Sequence, residues 1–198
     1  MHLRCIHPPV VDEGSELSYR LEMNIRLAQE IDLDSILKVI ETAFSDEENK
    51  VIINLVQELH QETTSPSIKS LVAELDNQVI GYVSYSPIFL KSTNSICGYI
   101  LAPLAVSLEY QKQGVGSNLI CAGIDMLTEE GVGVLMVYGD PAYYGRFGFK
   151  EEIGQSFTPP YTLKYPLGWT GMILNDSAIP EQPIQFECVA ALSRPDLW

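Results

Sequence analysis

The chain has 198 residues, of which 46% are hydrophobic, and its formal net charge at pH 7 is −14. This length and hydrophobic content predict one globular domain and exclude a largely disordered chain. The acidic charge argues against a nucleic-acid partner, because neutralising phosphates requires a basic surface, and it is compatible with a neutral or cationic small substrate.

Neither a metal site nor a membrane partner is predicted. The four cysteines, Cys5, Cys97, Cys121 and Cys188, are widely separated and form no CxxC pair. No apolar run is long enough for a signal peptide or for a membrane span. We therefore expect a cytoplasmic protein that holds no metal.

The first elements in chain order are a strand and two helices. Residues 1–22 mix Pro, Gly, Glu and Ser without a period and are expected to form an extension. A short strand is expected at 24–29. Apolar residues at helical spacing then predict a helix whose start is capped by Asp32. Ser45 and Glu48 form a capping-box pattern at the start of a second helix.

Three strands are predicted next, at 70–75, 78–89 and 96–106. The first two are joined through Asp76 and Asn77, a dipeptide typical of a tight hairpin. The third leads directly into the most distinctive stretch of the sequence, QKQGVG at residues 111–116.

The stretch QKQGVG joins a predicted strand to a predicted helix that ends at Gly131. A glycine-bearing turn that opens a helix presents several unpaired N–H groups at the positive end of the helix dipole, which suits a phosphate. Lys112 adds a positive charge. The alternative is a helix start with glycines for turn geometry alone. The loop lacks the Gly-Lys-Ser/Thr ending of a P-loop and the third glycine of a dinucleotide fingerprint.

The rest of the chain predicts a short buried strand, a brief helix and further strands. VGVLMVYG is wholly apolar, as expected of a strand that is buried on both faces. DPAYYGRFGF can hold only a brief helix, and TLKY, GMIL and IQFECVAAL are strand candidates between prolines. This order of elements predicts an α/β protein with a mixed sheet and helices on its faces.

Two of these motifs resemble the GNAT superfamily of N-acetyltransferases. QKQGVG is similar to the family's Q/R-x-x-G-x-G/A loop, and YYGRFGF at 143–149 is similar to its tyrosine-containing helix and closing Gly-Phe. The longer string GDPAYYGRFGF resembles a subgroup of predicted bacterial N-acetyltransferases. In element order the resemblance covers residues 23–150.

The resemblance implies a central mixed, mostly antiparallel sheet with splayed fourth and fifth strands, flanked by helices. It also divides the chain into an N-terminal extension (1–22), a GNAT domain (23–175) and a C-terminal strand and tail on the same domain (176–198). Acetyl-CoA is implied as the co-substrate, lying where the two strands separate. Pro103 gives this splay a local reason, because proline donates no hydrogen bond to a sheet.

The cofactor-binding residues follow from the same resemblance. Those implied for the pantetheine arm are Leu104, Ala105 and Val106, and those implied for the pyrophosphate are Gln111, Lys112, Gln113, Gly114, Val115, Gly116 and Ser117. Gln111, Gln113 and Val115 are expected to contribute mainly backbone groups. An ordinary core strand with a proline remains an alternative for 104–106. Arg146 and Lys150 could assist at the anionic nucleotide end, but solvated surface charges are the preferred reading.

Tyr144 is the implied catalytic residue. It lies four residues before Gly148, as does the family tyrosine that protonates or hydrogen-bonds the departing thiolate. A phenol pKa near 10 suits the return of a proton to a thiolate, whose thiol has a pKa of about 8.5. The alternative is an aromatic residue that packs the short helix onto the sheet. Asp140 is expected to cap that helix ahead of Pro141.

No general base can be singled out. The residues available by type are Glu41, Glu48, Glu109, Asp140 and His60.

We therefore expect an enzyme that transfers the acetyl group of acetyl-CoA directly to a primary amine of a small molecule or a protein. A non-catalytic acyl-CoA-binding module is the alternative, and a different acyl donor is a third reading. Tyr144 favours the enzyme, whereas the phosphate loop is needed by both. The acidic balance favours a cationic acceptor. Homodimers are common among relatives, but no feature of the sequence fixes one here.

Overall fold

The computed structural model describes residues 23–175 and 182–198. The predicted N-terminal extension, residues 1–22, lies outside the described residues. The strands are β1 (Asn24–Leu27), β2 (Lys69–Leu75), β3 (Gln78–Leu90), β4 (Ile96–Val106), β5 (Val134–Tyr138), β6 (Phe157–Thr158), β7 (Trp169–Ile173) and β8 (Ile184–Cys188). The helices are α1 (Leu33–Ala43), α2 (Asp46–Gln61), α3 (Val115–Glu129), α4 (Pro141–Tyr144) and α5 (Glu151–Gln155).

One mixed, mostly antiparallel sheet forms the centre of the molecule. Its strand order is β1-β2-β3-β4-β5-β7, and β4–β5 is the parallel pair in this path. The C-terminal strand β8 pairs with the far end of β3 and with β6. The expected mixed α/β fold is confirmed, and the C-terminal segment extends the same sheet.

Local sequence signals placed most elements correctly. Asp76 and Asn77 both have positive φ angles, 48° and 63°, as a two-residue hairpin between β2 and β3 requires. The expected strand at TLKY is wrong, because Pro166 starts a short 3-10 turn there and the Tyr165 N–H donates to the Tyr138 hydroxyl at 2.8 Å. The short helix α5 and strand β6 carried no pattern long enough to predict.

Helices cover both faces of the sheet. On one face α3 packs against β2–β5, and on the other α1 and α2 pack against β2–β4. Gly81 lets α3 approach closely, since a Cβ there would lie 2.9 Å from Val115 Cγ1. The buried Tyr85 hydroxyl donates to the Leu119 carbonyl at 3.1 Å. These contacts fix the first turn of α3 against β3.

An ion cluster joins β1, α1 and β2. The Arg26 guanidinium donates to the Asp32 carboxylate at 2.7 and 3.0 Å and to the Glu74 carboxylate at 2.6 and 3.0 Å. Asp32 is buried and also accepts the Gln29 N–H at 2.8 Å. Asp32 stands at the N-cap position of α1 as expected, but its side chain makes no capping hydrogen bond, because its oxygens bind Arg26 and the preceding turn instead.

Asp32→Asn is expected to lower the free energy of unfolding by about 2 kcal/mol at pH 7, because hydrogen bonds to a charged, partly buried partner are lost. The bonds from Arg26 hold the pKa of Asp32 below its ordinary value of 3.8. The difference from wild type should therefore be complete above about pH 5 and shrink as the pH falls through the lowered pKa.

Denaturant unfolding at several pH values measures this difference. Asp125→Asn is the matched control, because Asp125 is exposed on α3, and it should change stability by less than about 0.5 kcal/mol. Equal effects of the two substitutions at pH 7 would contradict a stabilising role for the ion cluster.

Candidate active site

Strands β4 and β5 separate after a short paired segment. They pair only from Tyr99–Leu101 to Leu135–Val137, whereas β4 continues to Val106 and stays paired with β3. Pro103 lies where the separation begins, and the β3–β4 register shifts opposite it. Beyond Leu101, within the part of the chain that the structure describes, no strand pairs with the β5-facing edge of β4. The predicted splay is therefore present.

The loop after β4 leads into a 15-residue helix, α3, with Gly114 as its N-cap. The side-chain amide of Gln111 donates to the Val106 carbonyl at 3.1 Å, and that of Gln113 donates to the Glu109 carbonyl at 2.7 Å. Both glutamine side chains are thus folded back onto the loop, which leaves its outer face to backbone groups.

The backbone N–H groups of residues 112–117 donate no well-aligned hydrogen bond to any described residue. They gather at the N-terminus of α3, where the helix dipole is positive. Lys112 adds its charge from an exposed position with φ +61°. This combination attracts an anion.

The two loop glycines meet different needs. Gly114 has φ +86°, a left-handed conformation, and a Cβ there would meet nothing within 4 Å. A Cβ on Gly116 would lie 2.9 Å from the Tyr143 hydroxyl. Gly114 therefore keeps the outer face of the loop open, whereas Gly116 admits α4. The expectation that both glycines serve the close approach of a phosphate does not account for the contact of Gly116 with Tyr143.

The short helix α4 positions the adjacent tyrosines. Asp140 caps it as expected, accepting the Ala142 N–H at 2.9 Å, and Pro141 is its first residue. The Tyr144 ring packs edge-on against Tyr143, with ring centroids 5.1 Å apart. A Cβ on Gly139 would lie only 2.5 Å from the Tyr144 ring. Gly139 thus sets the position of Tyr144, which the sequence reasoning missed.

Arg146 brings a second positive charge toward the loop. Its guanidinium lies 4.6 Å from the centre of the Tyr143 ring, and its Nε donates to the Tyr143 carbonyl at 3.2 Å. Because the Tyr143 hydroxyl neighbours Gly116, this stack lies next to the first turn of α3.

The phenol of Tyr144 is held in its neutral form. Burial, with smaller contributions from Tyr143 and Asp140, raises the pKa of Tyr144 well above its ordinary value of 10.0. Its hydroxyl makes no hydrogen bond with any residue that the structure describes. Tyr144 is therefore a neutral hydroxyl that no described residue engages and that can donate a proton or a hydrogen bond.

A cavity of about 240 Å³ opens at the splay and brings Tyr144 next to β4. Its lining residues are Phe44, Ile52, Leu55, Ile100, Leu101, Ala102, Pro103, Leu104, Tyr138, Tyr144, Leu192, Leu197 and Trp198. Of the predicted site residues, Leu104 and Tyr144 meet here. Ala105 and Val106 lie further along β4, and residues 111–117 lie beyond its end. The C-terminal contribution to the cavity was missed, because apolar residues near a chain end carry no specific signal.

None of the candidate general bases lines this cavity. Glu48 accepts a hydrogen bond from the Ser45 hydroxyl at 2.8 Å, and Asp140 caps α4. Glu109 borders a separate groove of about 530 Å³ between α1 and the end of β4. Glu41 and His60 are exposed on α1 and α2.

Within residues 23–175 and 182–198, no group of His, Cys, Asp and Glu side chains could hold a metal ion. Over the same residues, no helix combines the length and apolar character needed to cross a membrane.

Comparison with known proteins identifies the same family that the sequence motifs resemble. Residues 24–151 match the family model described as "Acetyltransferase (GNAT) domain". The chain is 34% identical over 129 residues to the uncharacterised N-acetyltransferase YhbS of Escherichia coli strain K12, a match that covers 65% of this chain and 74% of that protein.

Two solved structures are similar to this chain over most of its length. The crystal structure of E. coli YhbS in complex with CoA aligns with a TM-score of 0.76 at 27% identity, covering 92% of this chain and 97% of that one. A GNAT family acetyltransferase from Brucella melitensis in complex with acetyl-CoA aligns with a TM-score of 0.61 at 27% identity, covering 86% and 98%. The region matched by the family model runs from β1 through the loop at 111–117 and α4. The chain therefore belongs to the GNAT family of acyl-CoA-dependent N-acetyltransferases.

Proposed function

We propose that this protein transfers the acetyl group of acetyl-CoA directly to a primary amine, with Tyr144 at the departing thiolate. The observation that carries the proposal is the unpaired edge of β4. This edge runs from the cavity at Tyr144 to the N–H groups that open α3. The string GDPAYYGRFGF supports placing the chain in the subgroup of bacterial N-acetyltransferases that it resembles.

The open edge of β4 suits the pantetheine arm. Residues 104–106 keep their pairing with β3 on one side, so the backbone groups on the other side have no strand partner among the described residues. An extended chain with amide groups can add to such an edge as another strand does. The side chains of this segment belong to the protein's core in either case, since Ala105 is buried against α1.

The loop at 111–117 suits the pyrophosphate. Six N–H groups that donate no well-aligned bond to a described residue, the N-terminus of α3 and the charges of Lys112 and Arg146 act together on an anion. Positive charge concentrated here is informative in a chain whose net charge is −14. The open space around Gly114 leaves room for phosphate oxygens.

The chemistry is a direct displacement at the thioester. The amine nitrogen forms a bond to the carbonyl carbon, the carbon–sulfur bond breaks, and the amine gives up one proton to solvent. Tyr144 donates its proton to the departing sulfur and regains one from water. A backbone N–H of β4 beyond Pro103 supports the negative charge on the carbonyl oxygen.

Two observations favour direct transfer over the alternatives. The lining of the cavity contains no cysteine, serine, threonine, lysine, histidine or acidic side chain that could form an acyl-enzyme, and burial keeps the phenol of Tyr144 neutral. A non-catalytic acyl-CoA-binding module would need the loop but not a neutral tyrosine beside a cavity. The presence of both at the splay favours an enzyme.

Gly114→Glu should weaken CoA binding at least about 100-fold, since like charges about 4 Å apart repel by about 4 kcal/mol at an effective dielectric constant of about 20. Calorimetric titration with CoA measures the affinity. Gly131→Glu is the matched control, because Gly131 also has a positive φ (+74°) and open space around it, at the other end of α3. Equal affinity of the folded Gly114→Glu protein and the control would remove the loop from the cofactor site.

Tyr144→Phe should lower kcat about 100-fold, because it removes the proton donor to the sulfur, and should leave the KM for acetyl-CoA nearly unchanged. Steady-state thiol release measures both constants. Tyr143→Phe is the control, since it removes the neighbouring hydroxyl beside Gly116 and should leave kcat within about threefold of wild type. An unchanged kcat in Tyr144→Phe would exclude Tyr144 from the chemistry.

The pH dependence of kcat tests the ionisation of Tyr144 separately. Because burial raises its pKa above 10.0, the donating phenol persists through the neutral and moderately alkaline range. With both substrates saturating, kcat of the wild type should keep its plateau up to about pH 10. A loss of activity between about pH 7 and pH 9 that Tyr144→Phe abolishes would mean that Tyr144 ionises there.

A further inference from the structure

The cavity beside Tyr144 is lined by three groups of residues and by Tyr138 of β5. Residues 100–104 of β4 and Tyr144 form the side next to the splay. The opposite sides come from the α1–α2 region, through Phe44 and Ile52, and from the C-terminal residues 192–198. No residue of the loop at 111–117 lines it. The cavity is therefore separate from the loop that is proposed to bind the pyrophosphate.

The polar side-chain groups of this lining are nearly all engaged elsewhere. No charged side chain lines the cavity. The Tyr138 hydroxyl accepts the Tyr165 N–H at 2.8 Å, and the Trp198 indole N–H donates to the Leu192 carbonyl at 3.0 Å. The Tyr144 hydroxyl is the polar side-chain group of the described lining that has no partner.

The aromatic side of the cavity is tightly packed. The rings of Tyr138 and Trp198 are stacked, with centroids 6.4 Å apart and planes 11° apart. Trp198 also packs against Trp169 and Tyr161, with centroids 5.8 and 6.3 Å away. A volume of about 240 Å³ falls below the roughly 300–1,000 Å³ typical of sites for drug-sized ligands. The occupant should therefore be small, such as an alkyl chain or a single ring.

We infer that the acceptor is a primary amine attached to a small apolar group, and that this group occupies the cavity while the amine nitrogen lies near Tyr144. The inference rests on the proposed acetyl transfer. The side chains of this lining offer a second charged group on the acceptor no ionic partner, so burying that group in the cavity would cost free energy. The local lining thus argues against the polycationic acceptor that the net charge of −14 favours.

The same lining accounts for activation of the amine without a carboxylate. An ammonium group that enters apolar surroundings loses hydration, which lowers its pKa and favours the neutral, nucleophilic form. None of the acidic residues or histidines suggested by the sequence lines the cavity. Loss of the proton to solvent on entry would supply a nucleophilic amine without any of these residues.

The test compares matched amines at saturating acetyl-CoA. From propylamine to hexylamine, kcat/KM should rise about fourfold per methylene until the cavity is filled, because burying one methylene contributes about 0.8 kcal/mol. 1,6-Diaminohexane should have a kcat/KM at least about 100-fold below that of hexylamine, since its second ammonium would be buried without a partner.

Substitutions on neighbouring positions of α2 link this preference to the cavity. Ile52→Asp places a carboxylate on the lining and should lower the hexylamine-to-diamine ratio of kcat/KM at least about tenfold. Ile53→Asp is the matched control, because Ile53 is also half-buried on α2 and does not line the cavity, and it should leave the ratio unchanged. A ratio measured on one protein does not depend on its folded fraction. Leu197→Asp places a carboxylate on the C-terminal part of the lining and should lower the same hexylamine-to-diamine ratio of kcat/KM.

The outcomes separate this inference from the proposed function. Equal kcat/KM for hexylamine and the diamine, with thiol released from both, would overturn the apolar acceptor and leave acetyl transfer intact. A rise in kcat/KM with the length of the donor's acyl group, and not with the length of the amine, would assign the cavity to the acyl chain and also overturn it. No thiol release with any amine in the series, despite CoA binding, would refute acetyl transfer itself.

Discussion

The site depends on one constraint in the sheet, the loss of pairing between β4 and β5 after Leu101. Pro103 cannot donate a hydrogen bond across this gap, and β3 holds the other edge of β4 through to Val106. The result is an extended strand with one edge supported and the other open. The cavity, the position of Tyr144 in its lining and the continuous edge that leads to the start of α3 all depend on this open edge.

The flanking elements hold the two ends of this edge in place. At one end, the Tyr85–Leu119 hydrogen bond and the close approach at Gly81 fix α3, so that its N-terminus and the loop before it keep their position. At the other end, the Asp140 cap and the missing side chain at Gly139 place Tyr144 at the splay. The proposed nucleotide-binding and reacting parts of the site are thus each positioned by packing against the sheet, and they meet where Tyr143 approaches Gly116.

Sequence reasoning predicted the parts of this arrangement that depend on local chemistry. The hairpin at Asp76–Asn77, the glycine loop and the cap at Asp140 are encoded by residues a few positions apart, and the structure contains all three. The sides of the cavity could not be predicted, because Ile52 and Trp198 meet only through the tertiary fold. The requirement for glycine at position 116 likewise depends on Tyr143, which is distant in sequence, so no local pattern reveals it.

Placement of CoA along the open edge of β4 is tested most directly by amide NMR of the ¹⁵N-labelled protein during titration with CoA, since the spectrum reports on the backbone N–H groups of that edge and of the loop. We expect the largest shifts in residues 112–117 and in Leu104–Val106, with saturation at one site. Shifts concentrated around the groove at residues 107–110 and α1, or no shifts at all, would contradict the placement of the cofactor along the open edge of β4.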